Sequence, residues 1–287
     1  ATDPPRVVWR WMMLCTRIFA LLFGLAGTPS VSAQDAAWRF QWPKGRTLTY
    51  RANHATTVSE VVDGNKTETT SRLTLVKQWK VADVDPSGIA TLHLSLAALR
   101  TENTKPNGEK LLFDSANLDQ STPELRQMKE HLGKTLAIVR IDGYGRIHEV
   151  KHGSAAKYEA EPPFALVLPA AAPKEGQAWV RNYKITLEPP QGTGERFPAT
   201  QKYTCTKISG GQAHLAVTTE LKSLPESPQE RLPLLQKEVE GQAVFDIESG
   251  RLRRVELIID KTVQNHQGPG SSYHFVSSYI EELTSAK

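Results

Sequence analysis

Residues 47–58 run Thr47-Leu48-Thr49-Tyr50-Arg51-Ala52-Asn53-His54-Ala55-Thr56-Thr57-Val58. Leu48, Tyr50, Ala52, Thr56 and Val58 stand at every second position, with Thr47, Thr49, Arg51, Asn53 and Thr57 between them. A period of two is that of a strand with one buried face and one wet face, because successive side chains of an extended chain point to opposite sides. The same period recurs along the chain. Asp63-Gly64-Asn65 turns it into a run containing Leu73, Leu75, Trp79 and Val81, and Asp85-Pro86-Ser87-Gly88 turns it again into residues 89–100. Asn107-Gly108 and Asp142-Gly143-Tyr144-Gly145 mark two further hairpins, the second flanked by residues 135–141 and 146–152.

One helix is expected within this first run. In Ser121-Thr122-Pro123-Glu124-Leu125, Thr122 is placed to cap the free amides and Pro123 suits the first helical position. Leu125, Met128 and Leu132 repeat at three and four before Gly133, giving one apolar stripe to lay on the sheet. Residues 153–163 read as a linker, with Gly153-Ser154-Ala155-Ala156 and Glu161-Pro162-Pro163.

The residues beyond the linker repeat the pattern. Lys174-Glu175-Gly176 before Ala178-Trp179-Val180 corresponds to Pro43-Lys44-Gly45 before Thr47-Leu48-Thr49-Tyr50. Asp142-Gly143-Tyr144-Gly145-Arg146-Ile147 aligns with Glu248-Ser249-Gly250-Arg251-Leu252, and each copy follows a short helix that opens on Ser/Thr and Pro. In the second of these helices Ser227 and Glu230 have capping-box spacing, and Pro233 shortens or kinks it. The expected fold is therefore mainly β: two related antiparallel meander units, at 34–152 and 164–287, each with one short helix. They either merge into one curved sheet or form an open barrel or sandwich.

The layout from Phe113-Asp114-Ser115, through the Pro-started helix and Leu132-Gly133, to Asp142-Gly143-Tyr144-Gly145-Arg146-Ile147 and then Leu168-Pro169 and Gly176-Gln177-Ala178-Trp179 resembles a family of exported bacterial β-rich proteins of unassigned function. The resemblance implies export and a duplicated β layout, and no activity.

Residues 1–33 have the form of an export signal. Arg6, Arg10 and Arg17 precede the apolar run 18–27, and Val31-Ser32-Ala33 offers small residues for cleavage after Ala33. The run is too short for a membrane span, which needs about 20 apolar residues. Removing the segment leaves 254 of the 287 residues, and because it carries three Arg and one Asp the net charge falls from +4 to +2. A near-neutral chain has no electrostatic case for binding nucleic acid or an anionic membrane surface. Cys15 leaves with the signal and Cys205 is then the single thiol, so no intramolecular disulfide is expected. The expected location is periplasmic or extracellular.

The sharpest chemical motif is His148-Glu149-Val150-Lys151-His152, a formal match to the zinc-hydrolase string H-E-x-x-H. That chemistry requires a helix, which brings both imidazoles to one face with the carboxylate beside the metal-bound water. On a strand, His148 and His152 stand about 13 Å apart and Glu149 points the other way. The strand setting after Gly143-Tyr144-Gly145 favours two partly exposed histidines. His54, His93, His214 and His274 occur singly within alternating runs, and Asp114-Ser115 suits a turn better than a nucleophile. Cys205 reads as a small buried hydrophobe. Arg251, Arg253 and Arg254 read as a solvated strand edge, and Trp38, Trp42, Trp79 and Trp179 as core.

No catalytic, cofactor or metal residue is assigned on this basis, and no cofactor is implied. The expectation is an exported non-enzymatic protein that binds a hydrophobic small molecule or lipid. The first alternative is a structural or interaction protein of the cell envelope that displays a Thr-rich face including Thr47, Thr49, Thr57 and Thr67. The second is a zinc-dependent hydrolase using His148, Glu149 and His152.

Overall fold

A computed structural model describes residues 37–151, 166–187, 189 and 191–287. The expected signal segment 1–33, the linker 153–163 and His152 lie outside the described residues. The strands are β1 (Thr47–Val62), β2 (Asn65–Val84), β3 (Ala90–Thr104), β4 (Lys110–Asp114), β5 (Ala137–Ile141), β6 (Ile147–Val150), β7 (Ala178–Leu187), β8 (Glu195–Ser209), β9 (Gln212–Leu221), β10 (Glu240–Asp246), β11 (Arg251–Gln264) and β12 (Ser272–Ala286). All belong to one antiparallel sheet of order β6-β5-β3-β2-β1-β12-β11-β10-β9-β8-β7, with β4 paired to the outer part of β3. Of the architectures open to the sequence pattern, the molecule adopts the single curved sheet.

The order is that of a meander whose first and last strands meet. β1 and β12 pair along almost their full length, from Leu48 with Ala286 to Val61 with Ser272. Beyond the ladder Thr47 donates its amide to the Lys287 carbonyl at 2.7 Å and receives the Lys287 amide at 3.1 Å. Apart from β4, which pairs only with β3 so that β5 follows β3 in the order, each strand lies beside its sequence neighbours, and β6 and β7 form the two edges. The sheet is an incomplete ring with its gap between them.

The curl has a direct geometric proof. The Phe40 amide donates to the Gly143 carbonyl in the β5–β6 turn at 2.7 Å, and the next amide, that of Gln41, donates to the Gly250 carbonyl before β11 at 3.0 Å. On a flat sheet those turns would stand six strand positions apart, about 29 Å. Two consecutive residues can reach both only if the sheet rolls up around them. Phe40 and Trp42 stack at 5.2 Å, Phe40 meets Phe245 edge-on at 5.2 Å, and Trp38 lies 6.3 Å from the same ring. All four are buried, in a core shared with Leu48, Trp79, Leu92, Val139, Tyr203, Leu215 and Leu252. Such ring pairs contribute about 0.5–1.5 kcal/mol beyond the area they bury.

Close docking explains the paired glycines of the two repeats. Gly145 and Gly250 both have positive φ, and a Cβ on them would lie 2.3 Å from the Leu166 carbonyl oxygen and 2.4 Å from that of Arg39. Only glycine allows the segment inside the ring to approach these turns so closely.

Two local expectations change. Residues 123–131 form a 3-10 helix, Pro123–His131, that fully buries none of its side chains. Thr122 does not cap it, because its hydroxyl accepts the Leu112 amide at 2.9 Å while its own amide donates to the Leu112 carbonyl at 2.7 Å. The cap residue has been recruited to extend the pairing of β4. The second helix, α1 (Pro228–Leu235), keeps Pro233 inside and buries Leu234 and Leu235, and Ser227 makes no side-chain cap bond. Leu234 joins Ile185, Leu187, Ala199 and Leu221 in a second, smaller core.

Phe40→Ala is expected to lower the unfolding free energy by about 3–5 kcal/mol in chemical denaturation, the range for deleting a core aromatic. Leu224→Ser, at an exposed position, should change it by no more than about 0.5 kcal/mol.

Candidate functional site

The register places the side chains of the concave face in rows. Beyond the Leu48–Trp79 row at the plugged end comes Tyr50 beside Lys77, then Leu75, Ala52 and Glu281 with Val255, then Leu73, His54 and Tyr279 with Leu257. Further out lie Ser71, Thr56 and Ser277 with Ile259, and then Val58 beside Phe275. On the other limb the same face carries Arg181, Gln201 and Thr219, followed by Tyr183, Ala199 and Leu221. The interior thus changes from solid core to a mixed surface as the rows leave Trp79.

Two groups of buried and partly buried polar side chains mark that change. Lys77 Nζ lies 3.0 Å from Glu281 Oε1 with the two side chains 3% and 1% exposed. Lys77 also donates to the Tyr279 hydroxyl at 3.0 Å, which in turn donates to Glu281 Oε2 at 2.6 Å. His54 Nε2 stands 2.8 Å from Ser277 Oγ and 3.3 Å from Thr56 Oγ1, and its ring meets Tyr279 edge-on. Tyr50 donates to the Leu252 carbonyl at 3.1 Å, and burial, reinforced by the Glu281 charge, holds its hydroxyl far above the ordinary phenol range. In the second group Gln201 donates to Thr219 at 3.1 Å, Tyr203 donates to Gln201, and Trp179 stacks on Tyr203. Burial again raises the Tyr203 hydroxyl, opposed by the nearby Arg181 charge.

Beside these groups sit apolar side chains that the packed cores do not take up. Leu73, Leu75, Val58 and Phe275 occupy the concave face, are only partly buried, and belong to neither core cluster of the described residues. A separate cavity of about 390 Å³ lies at the gap in the ring, where the β5–β6 turn faces β7.

The residues singled out from sequence fall elsewhere. His148 and Glu149 are on strand β6. His148 Nε2 approaches Asp142 Oδ2 at 3.2 Å on a half-exposed surface, and Glu149 lies between Arg140 and Lys151 at 3.9 and 4.0 Å. An extended backbone separates these two side chains to opposite faces, so the helical geometry of the zinc string is not formed there. Among the described residues no group of three or more His, Cys, Asp or Glu is placed to hold a metal ion. His274 pairs with Asp260 at 2.8 Å near the open end of the sheet. Ser115 accepts the Leu99 amide at 3.0 Å, a turn role. Burial pushes the Cys205 thiol up, with Glu175 adding to the shift, so it is a poor nucleophile. Arg254 pairs with Glu256 and Glu282 on the outer surface.

Lys77, Tyr279 and Glu281 were not singled out from sequence, yet their signal is present. Lys77 interrupts Leu73, Leu75, Trp79 and Val81 at the parity of the buried face, and Glu281 does the same between Tyr279 and Leu283. A charge at an inward position requires a buried partner. His266, also passed over, is fully buried against Glu60 at 2.7 Å.

No family model and no curated protein matches the chain. Among solved structures it is similar to lipovitellin, in a study of lipid–protein interactions in that protein, at 14% identity and a TM-score of 0.48 over 86% of this chain and 26% of the other. The chain thus spans about a quarter of the length of that protein. It is also similar to a Vibrio parahaemolyticus domain described as an outer membrane lipoprotein-sorting protein (12% identity, TM-score 0.16, 89% and 87% of the two chains). A DUF1329 family protein from Desulfovibrio piger matches at 9% identity and a TM-score of 0.16, over 83% and 85%. No helix of the described residues is long and apolar enough to cross a membrane.

Removing one partner of the buried pair leaves an uncompensated charge, so Lys77→Met is expected to cost about 3–5 kcal/mol of stability. The double variant Lys77→Met with Glu281→Leu should recover most of that loss, as read from paired denaturation curves.

Proposed function

We propose that this protein is an exported, non-enzymatic binder of a hydrophobic small molecule or lipid, and that the ligand lies on the concave face of the curled sheet. The observation that carries the proposal is the placement of Leu73, Leu75, Val58 and Phe275: inward by register, outside both packed cores, and still partly exposed. A sheet that rolled up only to bury apolar surface would close on these side chains. Covering them with an apolar ligand gains about 25 cal/mol per Å² removed from water. The gap between β6 and β7 supplies a route to them that a closed barrel lacks.

Export is supported by the Arg-flanked apolar run and the small residues before Ala33. The absence of enzymatic function is proposed on the strand setting of His148 and Glu149 and on the raised Cys205 thiol.

The test uses the neutral dye N-phenyl-1-naphthylamine, whose fluorescence rises in apolar sites. The protein should bind it saturably, and Leu73→Asn or Phe275→Asn should each weaken binding by about tenfold, the effect of roughly 1.4 kcal/mol. Ile258→Asn, at an exposed position on the opposite face, should leave binding unchanged. No saturable enhancement, or equal loss in the Ile258 variant, would overturn the assignment.

A further inference from the structure

We propose that Lys261, with the Tyr273 hydroxyl beside it, holds the oxyanion headgroup of an amphiphile whose apolar chain lies on the concave face. This assignment rests on the function proposed above and adds the chemical class of the ligand: a carboxylate or phosphate at the end of a long hydrocarbon chain.

The alternation of β11 places Lys261 on the inward face. Ile259 and Val263, two positions to either side, are 7% and 9% exposed, so this face of the strand is apolar and buried where the lysine interrupts it. Lys261 is itself partly buried. It pairs across the ladder with Phe275, which pairs in turn with Val58. Both belong to the apolar surface assigned to the ligand. Val58 stands six positions from Ala52 on β1, roughly 20 Å at about 3.4 Å per residue, and Ala52 pairs with Leu75. An extended chain anchored at Lys261 therefore runs over Val58 and Leu73 toward Leu75 and ends at the Lys77–Glu281 pair.

The other inward charges of these central strands already have partners. Lys77 meets Glu281, and Glu60 is engaged by His266 at 2.7 Å and by Gln267 at 3.1 Å. Asp260 adjoins Lys261 in sequence but lies on the outer face, where it pairs with His274 at 2.8 Å. Lys261 makes no hydrogen bond or ion pair with a described residue, and neither does the Tyr273 hydroxyl. Tyr273 stands one row further out, diagonal to Lys261 across the β11–β12 ladder, a spacing at which long side chains still meet. Burial, reinforced by the Glu60 charge, holds its hydroxyl above the ordinary phenol range, so it stays a neutral donor. An ammonium and a hydroxyl flanked by Ile259, Val263 and Phe275 offer an oxyanion charge-assisted hydrogen bonds in surroundings of low polarity, where such bonds are strongest.

The experiment is isothermal titration of the protein with oleate, oleyl phosphate and oleyl alcohol, which share one chain and differ in the headgroup. At least one of the two anions should bind about tenfold tighter than the alcohol, the equivalent of one charge-assisted hydrogen bond. Lys261→Gln should erase that preference while alcohol binding is retained. Lys261→Arg should keep it, and Tyr273→Phe should remove part of it. Lys80→Gln, at an exposed position on the outer face of β2, should change nothing. The anion that loses more affinity in Lys261→Gln identifies the headgroup as carboxylate or phosphate. Lys261 has no protein partner to lose, so both of its variants should unfold at the temperature of the parent. An anion preference that survives Lys261→Gln, or equal affinity for all three amphiphiles, would overturn the headgroup site and leave the concave-face assignment intact. Failure of all three to bind would overturn both.

Discussion

The consecutive amide bonds from Phe40 to Gly143 and from Gln41 to Gly250 constrain everything else in the molecule. They tie two distant hairpin turns to one short segment, and a sheet of eleven strands in line cannot satisfy both without rolling up. The aromatic side chains of that segment fill the space the roll creates, so curl and core form together. Trp42 adds a third link by donating its indole N–H to the Asp142 carbonyl at 3.2 Å. The glycines at 145 and 250 are the local condition for this docking, since any side chain there meets backbone.

Because the plug occupies only one end, the concave face is not uniform. Near Trp38 and Trp79 the packing is that of an ordinary core. Further along, the buried Lys77 and Glu281 form a polar triangle with the partly buried Tyr279, and the apolar side chains past it are only partly covered. A buried ion pair contributes little net stability compared with apolar residues of similar volume. Its position between a filled region and a partly covered one fits a boundary that fixes how deep a ligand enters. The gap between β6 and β7 then becomes the natural approach.

Much of the fold was legible because β alternation is a local property. Leu48, Tyr50 and Ala52 are buried and Arg51 and Asn53 are exposed, as the period of two requires, and turns such as Asp63-Gly64 fall where glycine and aspartate mark them. The pairing of β1 with β12 joins residues more than two hundred positions apart and leaves no local trace, so whether the two runs made one sheet or two stayed open. The helix opened by Pro123 is present, but its cap differs for a related reason: Thr122 is a good cap by composition, and the neighbouring strand β4 competes for its hydroxyl. The interior polar groups follow no histidine spacing or motif; their one sequence trace is a charge at inward parity, Lys77 in β2 and Glu281 in β12.

The central claim is that the concave face holds a hydrophobic ligand. Its most direct test is native mass spectrometry of the protein purified without denaturation from an exporting host, compared with the mass of the same chain after organic extraction. The account predicts an adduct of several hundred daltons that disappears on extraction. A bare chain mass in every charge state, unchanged after incubation with a lipid extract, would contradict it.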